Sequence, residues 1–147
     1  MLYYNQDKDK ERERLKMTIN FDMDGTIANL YGINNWLENL RNEVEGLFLN
    51  CEPLVSEEEL LKFFPTEEYE LRICSMTPLN ATEEYCQVVI EEKNLWLDKY
   101  FPSITHRVYM AYGNNKNLRN SKNHILVDDN ETIRNTYKGL ALYPMWL

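Results

Sequence analysis

Cysteine is scarce in this 147-residue chain: Cys51, Cys74 and Cys86 are the whole complement, an odd number without a C-x-x-C spacing. A disulfide framework and a thiolate zinc site are both excluded by that pattern, and a reducing, cytoplasmic setting is expected. Long apolar runs are also missing. No stretch approaches the ~18 consecutive apolar residues that a membrane-spanning helix requires. The N-terminal residues are charged rather than apolar, so no signal peptide is expected. Basic residues are in deficit, 16 Lys and Arg against 24 Asp and Glu, for a net charge of −8. A broad surface for polymeric nucleic acid or for an anionic membrane needs clustered Lys and Arg, and neither partner is expected here. A small phosphorylated ligand remains compatible, because one metal and one local cation suffice to hold it. Internal repeats and low-complexity linkers are absent.

What is present is enough apolar material, 44% hydrophobic and 12% aromatic, for one globular domain. Residues 7–16 carry nine charges in ten positions, with opposite signs three apart (Asp7/Lys10, Asp9/Arg12, Glu11/Arg14, Glu13/Lys16). Such pairs support an exposed helix only weakly. Residues 1–16 therefore read as a charged extension, and 17–147 as a single domain.

Within that domain, Met17 to Phe21 is a short apolar strand. From Asn34 to Leu49 the apolar positions Trp36, Leu37, Leu40, Val44, Leu47 and Phe48 share a helical face. Ser56 and Glu59 form a capping box for a second helix, closed by Pro65. Tyr69 to Cys74 reads as a strand. Asn80 with Glu83 caps a longer helix that buries Tyr85, Val88, Val89 and Trp96. Strands follow at Arg107 to Ala111 and His124 to Val127, then a short helix from Glu131 and a last strand near Leu140 to Tyr143. Strands alternating with helices imply an α/β fold: right-handed crossovers and a parallel, Rossmann-like sheet sandwiched by helices. Ligands of such sheets sit beyond the carboxyl ends of the strands.

The chemistry gathers at those ends. D-M-D-G-T at 22–26 fixes four residues, and chance supplies such a pattern about once in 10³ chains of this length. Asn20-x-Asp22-x-Asp24-Gly25 matches half a calcium loop, but Tyr31 stands where a bidentate Glu is needed, and a strand precedes it. A structural Asp/Gly turn is the plainest account. The more informative one is a phosphoryl-transfer site. There Asp22 is the nucleophile and Asp24 the general acid and base. Gly25 and Thr26 contribute the tight backbone and phosphate-binding amides. Two adjacent carboxylates also call for a cation, and Mg²⁺ with oxygen ligands suits them. Asp22, Asp24, Asp128 and Asp129 are the metal candidates, with Asp128 and Asp129 competing for the direct contact. Ser75, with Thr77 in reserve, is placed to bind a phosphate oxygen. Lys116, with Arg119 and Lys122 as competitors, is placed to neutralise it.

D-M-D-G-T, Ser75, Lys116 and Asp128-Asp129, in that order, resemble the four motifs of the haloacid dehalogenase superfamily. The second Asp of D-x-D points to its phosphatases. Three stretches (D-M-D-G-T-I-A at 22–28, R-I-C-S-M-T-P-L at 72–79 and K-N-L-W-L-D-K-Y-F-P at 93–102) are similar to the 5′(3′)-deoxyribonucleotidase family. The resemblance spans roughly residues 17–130. It implies that superfamily's core, Mg²⁺ as cofactor, and hydrolysis of a nucleoside monophosphate through an aspartyl-phosphate. The family typically carries a larger helical cap, whereas the short segment here, 31–64, leaves room only for a minimal one. Tyr31, Trp36 and Phe48 would line the reduced pocket; as core residues of the amphipathic helix they have a second explanation. A phosphatase of a macromolecular partner, or a non-catalytic phosphate- or nucleotide-binding regulatory module, are the competing functions.

Overall fold

The computed structural model describes residues 16–113, 116–117 and 121–147. Residues 1–15 of the charged extension and Arg119 lie outside the described residues. Five strands form one parallel sheet: β1 (Met17–Phe21), β2 (Tyr69–Met76), β3 (His106–Met110), β4 (His124–Val127) and β5 (Leu140–Leu142), in the order β3-β2-β1-β4-β5. Four α-helices accompany it among the described residues: α1 (Trp36–Arg41), α2 (Glu57–Phe63), α3 (Glu83–Tyr100) and α4 (Glu131–Thr136). The fold is α/β and Rossmann-like with a minimal helical cap.

Side chains alternate along β1, the central strand of the sheet. Ile19 and Phe21 point to one face and join Leu71, Ile73 and Val127 in the apolar core, over which α2 and α3 lay Leu60, Tyr85, Val89, Trp96 and Leu97. From β1 the chain moves outward through β2 to β3. It then returns to the other side of β1 for β4 and β5. The crevice between the carboxyl ends of β1 and β4 is therefore the topological switch point, where ligands of open α/β sheets bind. Phe21 is level with both Ile73 and Val127, so the chain segments leaving β1 and β4 start at the same height.

Two local expectations are corrected. The single helix from Asn34 to Leu49 is broken into α1 and a 3-10 turn at Phe48–Asn50. Asn35, Glu43 and Gly46 take left-handed backbone angles (φ 59°, 53° and 89°). The amides of Gly46 and Phe48 donate to the Glu92 carboxylate on α3, at 2.8 and 3.2 Å, instead of to a helical carbonyl. Tertiary hydrogen bonds thus override the helical periodicity. The N-cap of α3 is Thr82, whose Oγ1 accepts from Tyr85 N at 3.2 Å, and not Asn80, which is left-handed at φ 57°. Cys51, Cys74 and Cys86 are all free, and no described helix is long and apolar enough to cross a membrane.

The cap segment is fastened along the length of α3. Thr82 N and Oγ1 donate to Glu43, Tyr85 Oη donates to the Val44 carbonyl, Glu92 holds two amides, and Trp96 Nε1 donates to the Cys51 carbonyl at 2.8 Å. Replacing Glu92 with Ala is expected to destabilise the protein by about 3 kcal/mol, since two amides lose a charged acceptor. Amide exchange should accelerate at Gly46 and Phe48 well before it does in β1. Unchanged protection at those two amides would show that Glu92 does not hold the cap.

Candidate active site

The turn after β1 is closed by its own backbone. Thr26, Ile27 and Ala28 amides all donate to the Met23 carbonyl, at 3.2, 3.0 and 3.0 Å, and Gly25 N donates to Ala28 O at 2.8 Å. Gly25 has φ 83°, and a Cβ there would collide with the Asp129 carboxylate and the Tyr31 ring. Glycine is therefore required for two reasons, backbone angle and space. This turn projects the carboxylates of Asp22 and Asp24 differently. Asp22, 9% exposed, continues the ladder through its amide to Val127 O at 2.9 Å. Its Oδ1 accepts from Lys116 Nζ at 2.7 Å and its Oδ2 from Thr26 Oγ1 at 3.0 Å.

At the end of β4, Asp128 is fully buried. Its Oδ2 accepts from Lys116 Nζ at 2.9 Å and its Oδ1 from the Asn130 amide at 2.9 Å. Asp129 lies over Thr26: its amide donates to Thr26 Oγ1 at 3.1 Å, and its Oδ1 is 3.2 Å from the same hydroxyl. Lys116 thus bridges the nucleophile candidate and Asp128. Thr26 braces Asp22 against Asp129.

Asp22, Asp128 and Asp129 each offer a carboxylate oxygen, all within 4.8 Å of one another. Burial raises the pKa of Asp128, and the charge of Asp22 adds to the rise while Lys116 opposes it. Burial likewise pushes Asp129 up to about 7, with Asp22 and then Asp128 adding to the rise. Three hard oxygen donors that repel one another in a buried site fit a divalent cation such as Mg²⁺. Lys116 stays protonated: burial alone would favour the neutral amine, but Asp22 and Asp128 outweigh it and raise its value.

Asp24, the fourth metal candidate, has its carboxylate outside that group of three. Its Oδ2 accepts instead from Lys93 Nζ at 2.9 Å. Its Oδ1 is buried and has no partner among the described residues. Burial raises its pKa, against the opposing charge of Lys93. Ser75 falls within β2, one residue before its end, and is 1% exposed; its Oγ accepts from Lys93 at 2.8 Å. Thr77 turns toward β3, with its amide on Met110 O at 2.8 Å. Lys122 is exposed on the 3-10 turn before β4. Gly25 and Thr26 use their amides inside the turn, and Thr26 sets its hydroxyl between two carboxylates, so both brace the turn.

Lys93 is the site residue that motif reasoning missed. It lies on the buried stripe of α3 with Val89, Trp96 and Leu97. A lysine at i+4 from a buried valine and i−4 from a buried leucine was the available signal. A cleft of about 510 Å³ opens above these groups. Its floor includes Asp22, Asp24, Lys116, Asp128 and Asp129. Its walls include Tyr31, Trp36, Leu40, Phe48, Leu79 and Tyr112. Tyr31 and Trp36 meet edge to face at 4.8 Å, whereas Phe48 is both a wall and a core residue, 2% exposed.

No family model matches the chain, and no curated protein is found to be similar to it.

Because the Asp129 carboxyl holds its proton up to about pH 7, protons compete with a cation for the triad. Mg²⁺ affinity measured by calorimetry is expected to fall by roughly tenfold per pH unit below that point and to level off above pH ~8. Asp129→Asn should weaken binding and flatten the profile. Equal affinity at pH 6 and pH 8 in the parent protein would contradict the assignment of Asp129 to the cation site.

Proposed function

We propose that the chain is a Mg²⁺-dependent phosphomonoesterase that works through an aspartyl-phosphate on Asp22 and hydrolyses a nucleoside monophosphate. One observation carries this reading: two carboxylates two residues apart, at the switch point of a parallel sheet, each held by a different buried lysine. Asp22 is paired with the buried ammonium of Lys116 at 2.7 Å and braced by Thr26, as a charged nucleophile requires. Asp24 is biased toward its protonated form by burial, as a general acid requires. The likeness of the motifs to haloacid dehalogenase phosphatases agrees with this division.

In the reaction, an Asp22 oxygen attacks phosphorus as the bond to the ester oxygen breaks. The Asp24 proton passes to that oxygen, and the alcohol departs, leaving a phosphoryl group on Asp22. Water then attacks phosphorus, Asp24 takes its proton, and inorganic phosphate leaves with Asp22 restored. Lys116 offsets charge on the phosphoryl oxygens, and Ser75 donates to one of them. Held by Asp22, Asp128 and Asp129, Mg²⁺ would neutralise the negative charge that phosphate adds to an acidic site.

The cleft suits a small substrate. Its volume falls in the range of small-molecule sites, about 300–1,000 Å³. Its aromatic wall offers faces on which a planar base can stack. The cap, fastened to α3 at Thr82, Tyr85, Glu92 and Trp96, encloses that wall and favours a nucleotide over a folded phosphoprotein.

The test is phosphate release with Mg²⁺ from a panel of 5′- and 3′-(deoxy)nucleoside monophosphates and sugar phosphates, beside Asp22→Asn. Release is expected to require Mg²⁺, to favour nucleotides over sugar phosphates, and to fall on the order of 10³-fold or more in the variant. No release above the variant across the panel would overturn the small-molecule reading and move the weight to a macromolecular substrate or a binding role.

A further inference from the structure

A lysine in the middle of a long helix ordinarily reaches water. Its four-carbon stem allows it, and burying an unpaired ammonium is very unfavourable. Lys93 on α3 does the opposite, and its side chain is 0% exposed. The three N–H donors of an ammonium match three acceptors: Asp24 Oδ2 at 2.9 Å, Ser75 Oγ at 2.8 Å and the Met76 carbonyl at 2.9 Å. The Phe48 ring covers it at 4.9 Å, an arrangement that favours a cation. The ammonium is thus fixed on every side.

We propose that Lys93 is the positioning residue of this site: it orients the Asp24 carboxyl and the Ser75 hydroxyl together, so that proton transfer and phosphate binding are set by one side chain. The inference rests on the phosphomonoesterase reading above.

An ammonium has donors and no acceptor. Ser75 Oγ must therefore accept from Lys93, and its own O–H is directed elsewhere. That proton finds no acceptor among the described residues, which leaves it for a ligand oxygen. The same logic applies to Asp24. With Oδ2 taken by Lys93, Oδ1 is the carboxyl oxygen left without a partner. The two groups come from different segments, the turn after β1 and the end of β2, whose backbones the ladder aligns without tying one side chain to the other. Lys93 supplies that constraint from a third element. It also separates the two carboxylates: Lys116 serves Asp22 and Asp128, while Lys93 serves Asp24.

A purely structural staple would look similar in the folded state, and the experiment distinguishes the two. Lys93→Met and Lys93→Arg are compared with the parent protein under single-turnover conditions, enzyme in excess, with Mg²⁺. The two substrates are a nucleoside monophosphate and an aryl phosphate whose phenolate leaves without protonation. Release of the leaving group is followed, which isolates the first step. Lys93→Met is expected to lose about 10²-fold or more on the nucleotide and less than about tenfold on the aryl ester, because only the former needs the oriented acid. On an Asp24→Asn background, Lys93→Met should have little further effect on the nucleotide, since the two act through one route. That double variant carries no unpaired buried charge at this position, so it reports even if the single variant folds poorly. Equal losses on both esters, or fully additive losses in the cycle, would overturn the positioning role while leaving the phosphatase reading intact. A parent protein inactive on both esters would overturn both.

Discussion

Everything in this site depends on keeping four carboxylates close together beneath a cleft without letting them repel one another apart. Two buried lysines do this among the described residues. Lys116 lies between Asp22 and Asp128, and Lys93 lies against Asp24. Buried ion pairs contribute little net stability, because desolvation consumes most of their attraction. Their value here is directional. Each lysine is tied to particular oxygens, so the carboxylates acquire different states although they come from one short turn and one strand end.

The fold supplies the rest of the constraint. Parallel pairing of β1 with β4 sets the ends of those two strands level, while β2 runs three residues further, from Ile73 to Met76, and the reversal of strand order opens a crevice between β1 and β4. The turn at Gly25 closes against Asp129 with no room for a side chain. Trp146 adds a clasp from the last residues of the chain: its Nε1 donates to the Thr26 carbonyl at 2.9 Å, and its ring stacks near Phe21. The cap is held by α3, the same helix that carries Lys93, so the wall of the cleft and the orientation of Asp24 are linked through adjacent residues, Glu92 and Lys93.

Much of this was legible in the sequence because it is local. D-M-D-G-T, Ser75 and Asp128-Asp129 sit at the ends of short apolar strands, and period-2 runs bounded by turn residues are readable without tertiary information. The α/β class and the parallel sheet follow from the same alternation. What escaped is long-range. Glu92 breaks the expected helix at Asn34 to Leu49 by capturing amides 44 and 46 positions away, which no periodicity reveals. Lys93 meets Asp24 across 69 positions; its place on the apolar stripe of α3 and at the head of the 93–102 stretch is visible in the sequence, but its partner is not. Gly25 and Thr26 were read correctly as a tight turn, but their hydrogen bonds go to the turn and to the carboxylates, a distribution that only coordinates reveal.

If Asp22 carries the phosphoryl group, the acyl phosphate can be trapped. The protein is mixed with Mg²⁺ and a nucleoside monophosphate, quenched in acid within one turnover, digested and examined by mass spectrometry. The account predicts one added phosphoryl group on the peptide containing Asp22, removed by hydroxylamine as an acyl phosphate and absent from Asp22→Asn. Turnover without any such adduct, or an adduct on another residue, would contradict it.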